Sequence, residues 1–299
     1  MKIENQNNPQ TITAQAKSVK SSKPSPTPAE APKGTHEQVT GTAARITQWF
    51  AQVGVSFPYQ GLRTNSIESR VHKREKIAAQ RKLNNIERVF EKALAFCIEQ
   101  DKNERIDPDW FYNFVSMAEE IHSSSMQELW GKIFAVETSR PGSFSLRTLL
   151  TLKQLTQKDA QTFRRAVSLS SRRRDDTTPK LLTGFYQKPS MFALFSLRKE
   201  QQLNLAMFGL SYPDLLSLMD LGLIHQTEIE SGEWPMDAKF EWRSNGQIFN
   251  LTARKNGTTL KYYKFTTTGA ELFTLVGANK QEKYLEALKL TLTSAFTID

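Results

Sequence analysis

Apolar residues recur with helical spacing through the first half of the chain. Residues 65–98 have a helical pattern, and in their second half an apolar position returns every three or four residues, which predicts one apolar face on a long helix. The members of this face are Leu83, Ile86, Phe90, Leu94 and Cys97. The first half of the same segment is polar and basic. That pattern is typical of a solvated arm, and it also fits a surface that contacts phosphate or a second copy.

Two further helices are predicted by strong start signals. Asp107 caps the first, because Pro108 favours the first helical position and Asp109 places negative charge at the positive end of the dipole. Ser125 and Glu128 form a capping-box pattern for the second. Their apolar faces are rich in aromatic residues: Trp110, Phe114, Met117 and Ile121, then Met126, Leu129, Trp130, Ile133 and Phe134. The short connection between them predicts an antiparallel hairpin with a shared core.

The last third of the chain mixes helix and strand signals. Ser211 with Asp214 and Thr268 with Glu271 mark two helix starts. Between these helices, short runs of strand-forming residues and an Asn-Gly turn predict a small β element. Its strands are expected at residues 239–242, 247–253 and 260–265.

Composition divides the chain into four parts. Residues 1–40 are rich in Pro, Ser, Thr and Asn and offer little to bury, so we expect a disordered tail. Residues 41–170 are expected to form a helical domain, 171–204 a linker or irregular segment, and 205–299 a second unit. The sequence therefore predicts a mainly α fold with a small β element, in which a helical bundle precedes an α+β unit.

Charge and cysteine content set broad limits on partners and compartment. Lysine and arginine outnumber aspartate and glutamate by 40 to 31, a net charge of +9, which admits an anionic partner without requiring one. A single cysteine, Cys97, excludes an intrachain disulfide. The sequence shows neither an apolar run long enough for a membrane span nor an apolar leader. We expect a cytoplasmic protein with no membrane span.

Catalytic and metal-binding templates find no match along the sequence. The four histidines are scattered, at positions 36, 72, 122 and 225, and none has a second ligand-type residue at metal-binding spacing. A glycine-rich phosphate loop is absent, and the adjacent Glu119 and Glu120 point to different helix faces. We therefore predict a protein that is not an enzyme and has no catalytic residue, metal site or cofactor.

Three sequence blocks lie within about residues 80–165: Ile106-Asp-Pro-Asp-Trp-Phe, Ser125-Met-Gln-Glu-Leu-Trp-Gly-Lys-Ile-Phe-Ala and Arg140-Pro-Gly-Ser-Phe-Ser-Leu-Arg-Thr-Leu149. Together they resemble a family of bacterial conserved hypothetical proteins that share a domain of unknown function. The matching motif residues are Trp110, Met126, Glu128, Trp130, Pro141, Gly142, Phe144 and Arg147. One departure is Ala135-Val136-Glu137, where the family pattern has a glycine before the glutamate. The resemblance implies no activity, and a weaker likeness to abortive-infection-type proteins implies a role in phage defence.

A second resemblance involves the residues from about 205 to 276. A helix ending in Gly222-Leu-Ile, a strand pair, and Tyr263-Lys-Phe-Thr-Thr-Thr-Gly-Ala-Glu-Leu272 look like the end of a winged helix. That fold implies a recognition helix and a wing that meet DNA. Here the helix carries only Asp214 and Asp220 as charges, so a winged helix used for protein contact is supported nearly as well.

Two functional hypotheses follow. In the first, the protein is a nucleic-acid-binding regulator or defence component whose basic residues neutralise phosphates. The candidate contacts are Arg70, Lys73, Arg74, Arg81, Lys82, Arg172, Arg173, Arg174, Arg254, Lys255, Lys261 and Lys264. In the second, it is a protein-interaction or self-assembly module, a homo-oligomer or a partner of another protein. Its hairpin, with eight acidic and three basic residues over 101–137, would then pair with basic segments within the chain or between copies.

Overall fold

Capped amphipathic segments follow one another along the first part of the chain and make it helical. The computed structural model describes residues 41–55, 66–97, 105–188, 199–244, 246–277 and 281–299, so the expected tail at 1–40 lies outside the described residues. The helices of this part are α1 (Thr42–Gln52), α2 (Ile67–Ala95), α3 (Pro108–Ala118), α4 (Ser124–Ser139), α5 (Leu146–Gln154) and α6 (Gln157–Ser168). The Asp107 cap is confirmed, whereas α4 begins earlier than expected because Ser123 rather than Ser125 caps it.

The aromatic hairpin has the shared core that the sequence predicts. Phe114 of α3 lies between two rings of α4, with centroid distances of 5.2 Å to Trp130 and 5.1 Å to Phe134. The opposite side of α4 packs on α2. At that crossing Gly131 lies so close to α2 that a Cβ there would be 2.6 Å from the Cβ of Lys92. The missing side chain therefore permits the close approach of the two helices.

The second part of the chain alternates strands with short helices. Its strands are β1 (Ser171–Arg173), β2 (Asp176–Gln187), β3 (Lys199–Gln202), β4 (Ile229–Glu230), β5 (Lys239–Ser244), β6 (Gln247–Ala253), β7 (Thr258–Lys264) and β8 (Phe296–Ile298). Its helices are a 3-10 turn at Leu205–Phe208, α7 (Tyr212–Asp220), α8 (Thr267–Phe273) and α9 (Glu282–Leu292). The box of Ser211 and Asp214 caps α7 as expected, but Thr266 rather than Thr268 caps α8.

The eight strands form one antiparallel sheet in the order β4-β7-β2-β1-β5-β6-β8, with β3 also paired to β2. The prediction of a mainly α fold with a small β element is therefore wrong. So is the winged-helix-like unit, because the β5–β6 hairpin is part of the same large sheet and is separated from β7 by β1 and β2. The segment 171–204, interpreted from sequence as a linker or irregular segment, contributes β1, β2 and β3. Its longest strand was hard to recognise because Pro179 and Gly184 interrupt its pattern.

The helical part and the sheet share one hydrophobic core. The buried hydrophobic residues form a single cluster in space, whose members extend along the chain from Val89 of α2 to Phe296 of β8. Phe163 of α6 meets Phe265, which follows β7, edge to face at 5.9 Å. The buried Tyr284 of α9 donates its hydroxyl to the carbonyl of Leu182 in β2 at 2.7 Å. The two sequence regions therefore stabilise each other through buried apolar contact.

Candidate interaction surface

A helical arm, defined here as residues 42–55 and 66–82, presents apolar and basic side chains to solvent. Helix α1 contains no buried residue, and Trp49 and Phe50 are 70% and 55% exposed. Gly54, in the turn that follows α1, lies against Arg74 and Ile77 of α2. An exposed tryptophan beside a basic helix is typical of a binding surface rather than of a core.

The basic residues of the arm fall into two groups. Arg70, Lys73 and Arg74 are exposed and make no ion pair within 4.0 Å among the residues that the structure describes. Lys82 differs, because its ammonium contacts the Glu119 carboxylate of the hairpin at 3.1 Å. Arg81 is half-buried at the base of the arm. Three cations therefore remain available to an external anion, whereas the charge of Lys82 is balanced within the chain.

The second half of α2 carries an apolar stripe, defined here as Leu83, Phe90 and Leu94. These residues belong to the apolar face that the sequence pattern predicts, yet they are 57%, 58% and 59% exposed, and Cys97 is exposed as well. The core face of α2 is instead formed by Asn85, Val89 and Ala93. Small Ala93 faces Gly131, so the closest approach to α4 is on this side of the helix.

A buried polar network holds α2 in this orientation. The Asn85 amide donates to the carbonyl of Glu119 at 2.7 Å and lies 3.0 Å from Nδ1 of His122. Gln127 of α4 donates to the carbonyl of Ile121 at 2.9 Å and to Oδ1 of Asn85 at 3.3 Å. Because buried amides are costly unless they are hydrogen-bonded, this network favours the observed rotation of α2 and leaves the stripe outside.

Most basic residues of the sheet that the sequence suggested for phosphate contact have partners in the chain. Arg173 pairs with Asp175 at 2.6 Å and Arg174 with Glu241 at 3.2 Å. Lys261 contacts Glu200 and lies 3.9 Å from Glu228 and 3.8 Å from Glu230; its hydrogen bond to Glu200 raises the pKa of the ammonium. Arg172 lies over the ring of Phe273 at 5.1 Å. Within the described ranges, ion pairs are absent for Arg254, Lys255 and Lys264.

The Pro-Gly-Ser-Phe-Ser block is a structural clamp between α4 and α5. The buried carboxylate of Glu137 accepts the N–H groups of Gly142 at 2.6 Å and Phe144 at 3.0 Å, and burial raises its pKa. Trp110 donates its indole N–H to the carbonyl of Phe144 at 2.7 Å. Gly142 adopts a φ of +81°, a conformation that favours glycine.

The same block also reaches the second part of the chain. The N–H of Ser145 donates to the Glu271 carboxylate of α8 at 2.7 Å. The remaining motif residues have ordinary roles: Trp130 is fully buried, Met126 is partly buried, Glu128 pairs with Lys132 at 2.8 Å and Arg147 is exposed. The motif is thus explained by packing and loop geometry.

The molecule has two other features that are relevant to chemistry, a cavity and a buried lysine. A cavity of about 770 Å³ lies between α4, α5, α6 and the residues after α8, with mainly aliphatic walls and Arg164 and Arg165 among its lining residues.

The buried Lys180 donates to Asp176 at 2.7 Å and to the Thr178 carbonyl at 3.0 Å. Burial lowers the pKa of Lys180. Burial also opposes ionisation of Asp176, but hydrogen bonds from Lys180 and Thr178 outweigh it and lower the pKa of Asp176 to about 2. This pair is a closed structural contact.

No group of three or more His, Cys, Asp or Glu side chains is placed to hold a metal ion in the part of the chain that the structure describes. Across the same described ranges, no helix is both long enough and apolar enough to cross a bilayer.

Comparison with known families places the chain. The model of a protein family of unknown function, DUF2806, matches residues 69–289, which run from the first turn of α2 into α9. The chain therefore belongs to this family. The match covers both the helical part and the sheet, in agreement with their shared core. Neither the curated proteins nor the solved structures include a match.

Proposed function

We propose that this protein acts by binding rather than by catalysis, and that its arm binds single-stranded nucleic acid. The observation that supports this is the combination of Arg70, Lys73 and Arg74, three exposed cations that form no ion pair with any described residue, with the exposed rings of Trp49 and Phe50. Single strands are held by cations that follow the phosphates and by aromatic rings on which bases stack. A regulatory or defence role would follow from such binding.

The arm is a better candidate than the sheet for physical reasons. Arg173, Arg174 and Lys261 would each have to break an ion pair before they could contact a phosphate. The three arm cations lie on α2 within two helical turns. They are therefore close enough together to contact the phosphates of one short stretch of a single strand. Over residues 67–82 six basic residues outnumber two acidic ones, Glu68 and Glu75, so the electrostatic potential along this part of α2 is positive.

A salt-titrated mobility shift with random single strands and duplexes tests the proposal. The triple variant R70Q/K73Q/R74Q is expected to reduce the slope of log K against log[salt] by about 2 and to weaken binding at low salt at least roughly tenfold. W49A is expected to weaken single-strand binding by about 1–3 kcal/mol and duplex binding less.

The matched control is R254Q/K255Q, which removes two exposed cations from the sheet region. It should leave the affinity nearly unchanged if the arm is the site. Equal losses in the control and the arm variant would show non-specific charge attraction, and the absence of any complex at low salt would refute the proposal.

A further inference from the structure

The apolar stripe on α2 has no partner among the described residues of its own chain, although it lies on a capped helix of 29 residues. Leu83, Phe90 and Leu94 follow one another at spacings of seven and four, so they share one helix face. Ile86, which is half-buried, lies beside them. Leaving several large apolar side chains in water costs free energy that a docked partner would recover.

We propose that α2 pairs antiparallel with α2 of a second copy of this chain, along the stripe. The stripe is complementary to itself in this arrangement. With a twofold axis near residue 88, Leu83 faces Leu94 of the other copy, and Ile86 faces Phe90. In the next layer Ala79 faces Cys97, two small residues. Such an isologous contact buries the same patch on both copies, as in most symmetric dimers.

The distribution of charge along α2 favours the antiparallel direction. Residues 67–82 contain six basic and two acidic residues, a balance of +4. Residues 83–95 contain two of each, Glu87 and Glu91 against Arg88 and Lys92, a balance of zero. A parallel pair would place two +4 segments side by side. An antiparallel pair places the neutral segments together and the basic ones at opposite ends, where they do not repel each other.

This inference goes beyond the proposed function and does not depend on it. The stripe occupies the second half of α2, whereas the nucleic-acid contacts lie in the first half and on α1. A dimer would display two basic arms. Loss of the dimer and loss of nucleic-acid binding are therefore separate outcomes of different variants.

Sedimentation velocity across a concentration series tests the association. One pair of helices gives a small interface, so we expect a monomer–dimer equilibrium with a Kd on the order of micromolar. The variant L83E/L94E should be monomeric at every concentration, with unchanged circular dichroism. The matched control L290E changes a leucine of α9 that is 75% exposed and should dimerise as the wild type does. A monomeric wild type, or a dimer that L83E/L94E leaves intact, would overturn the inference.

Oxidative cross-linking tests the direction. The N–H of Cys97 bonds to the carbonyl of Leu94 at 3.2 Å, so this residue continues the last turn of α2. In the antiparallel pair the two Cys97 residues are separated by about 27 Å along the helix axis, too far for a disulfide. The wild type should therefore remain uncross-linked, while A79C should give a covalent dimer through Cys97 of the other copy. A Cys97–Cys97 disulfide in the wild type would instead show a parallel pair and contradict the proposal.

Discussion

Replacing Gly131 by valine is expected to destabilise the protein by about 2–3 kcal/mol, although glycine is a poor helix former. An added Cβ would lie 2.6 Å from Cβ of Lys92, 2.8 Å from the backbone nitrogen of Ala93 and 2.9 Å from the carbonyl carbon of Lys92. Two of these three atoms belong to the backbone of α2, so a change of rotamer cannot relieve the clash. The helices would have to separate and would loosen the contacts of Val89 and Trp130.

Thermal unfolding with circular dichroism measures this effect, which corresponds to a decrease in Tm of roughly 5–10 °C for a chain of this size. Gly232 provides the matched control, because a Cβ there meets nothing within 4 Å and its φ is not in the left-handed region. G232V should change the Tm by little. A G131V protein as stable as the wild type would mean that α2 and α4 are not in close contact.

Replacing Glu137 by glutamine is expected to cost about 2 kcal/mol at neutral pH. The carboxylate accepts two backbone N–H groups from the loop after α4, and an amide can accept only one of them while its NH₂ group opposes the other. Urea denaturation measures the loss. E128Q changes an exposed glutamate of the same helix and should cost less than about 0.5 kcal/mol.

The pH dependence of this loss has a defined sign. Burial raises the pKa of Glu137 above its ordinary value of 4.5, so the folded state binds this proton more tightly than the unfolded state does. The contribution that this difference makes to stability is complete below about pH 4.5 and is lost as the pH rises through the folded-state pKa. The difference in the free energy of unfolding between the wild type and E137Q should therefore become smaller as the pH rises from acidic to neutral. If this difference became larger instead, the folded state would favour the charged carboxylate of Glu137.

Local signals in the sequence were sufficient for several helix starts. Asp107 and the box of Ser211 and Asp214 cap their helices as expected, because a cap depends on residues three or four positions away. The ring contacts of the hairpin likewise follow from spacing within neighbouring helices. These features could be predicted because the interacting residues are close in the chain.

The orientation of α2 and the centre of the sheet depended on distant residues. Periodicity alone favours Leu83 and Phe90 as the buried face. The observed face is selected by Gly131 and by hydrogen bonds from Asn85 and Gln127, and no local pattern reports these contacts. The candidate cations show the same limit, because the partners of Lys261 come from two distant segments: Glu200 lies in β3, and Glu228 and Glu230 lie at β4. The arm could be proposed from sequence as basic, but its exposed aromatic face required the structure.

The position of β2 has a consequence for how the chain acquires its fold. This strand pairs with β7, and Leu181 lies opposite Tyr263, 82 positions later (263 minus 181). Pairing across such a distance is slow because a long loop must close first. The helices and the strands share one core, and the helices are synthesised before the strands that complete it. We therefore expect residues 69–289, which the family model matches, to fold in one cooperative step. A fragment that begins at residue 205 would leave β5 and β7 with open edges and should aggregate, which makes this segment a poor candidate for division into separately expressed modules.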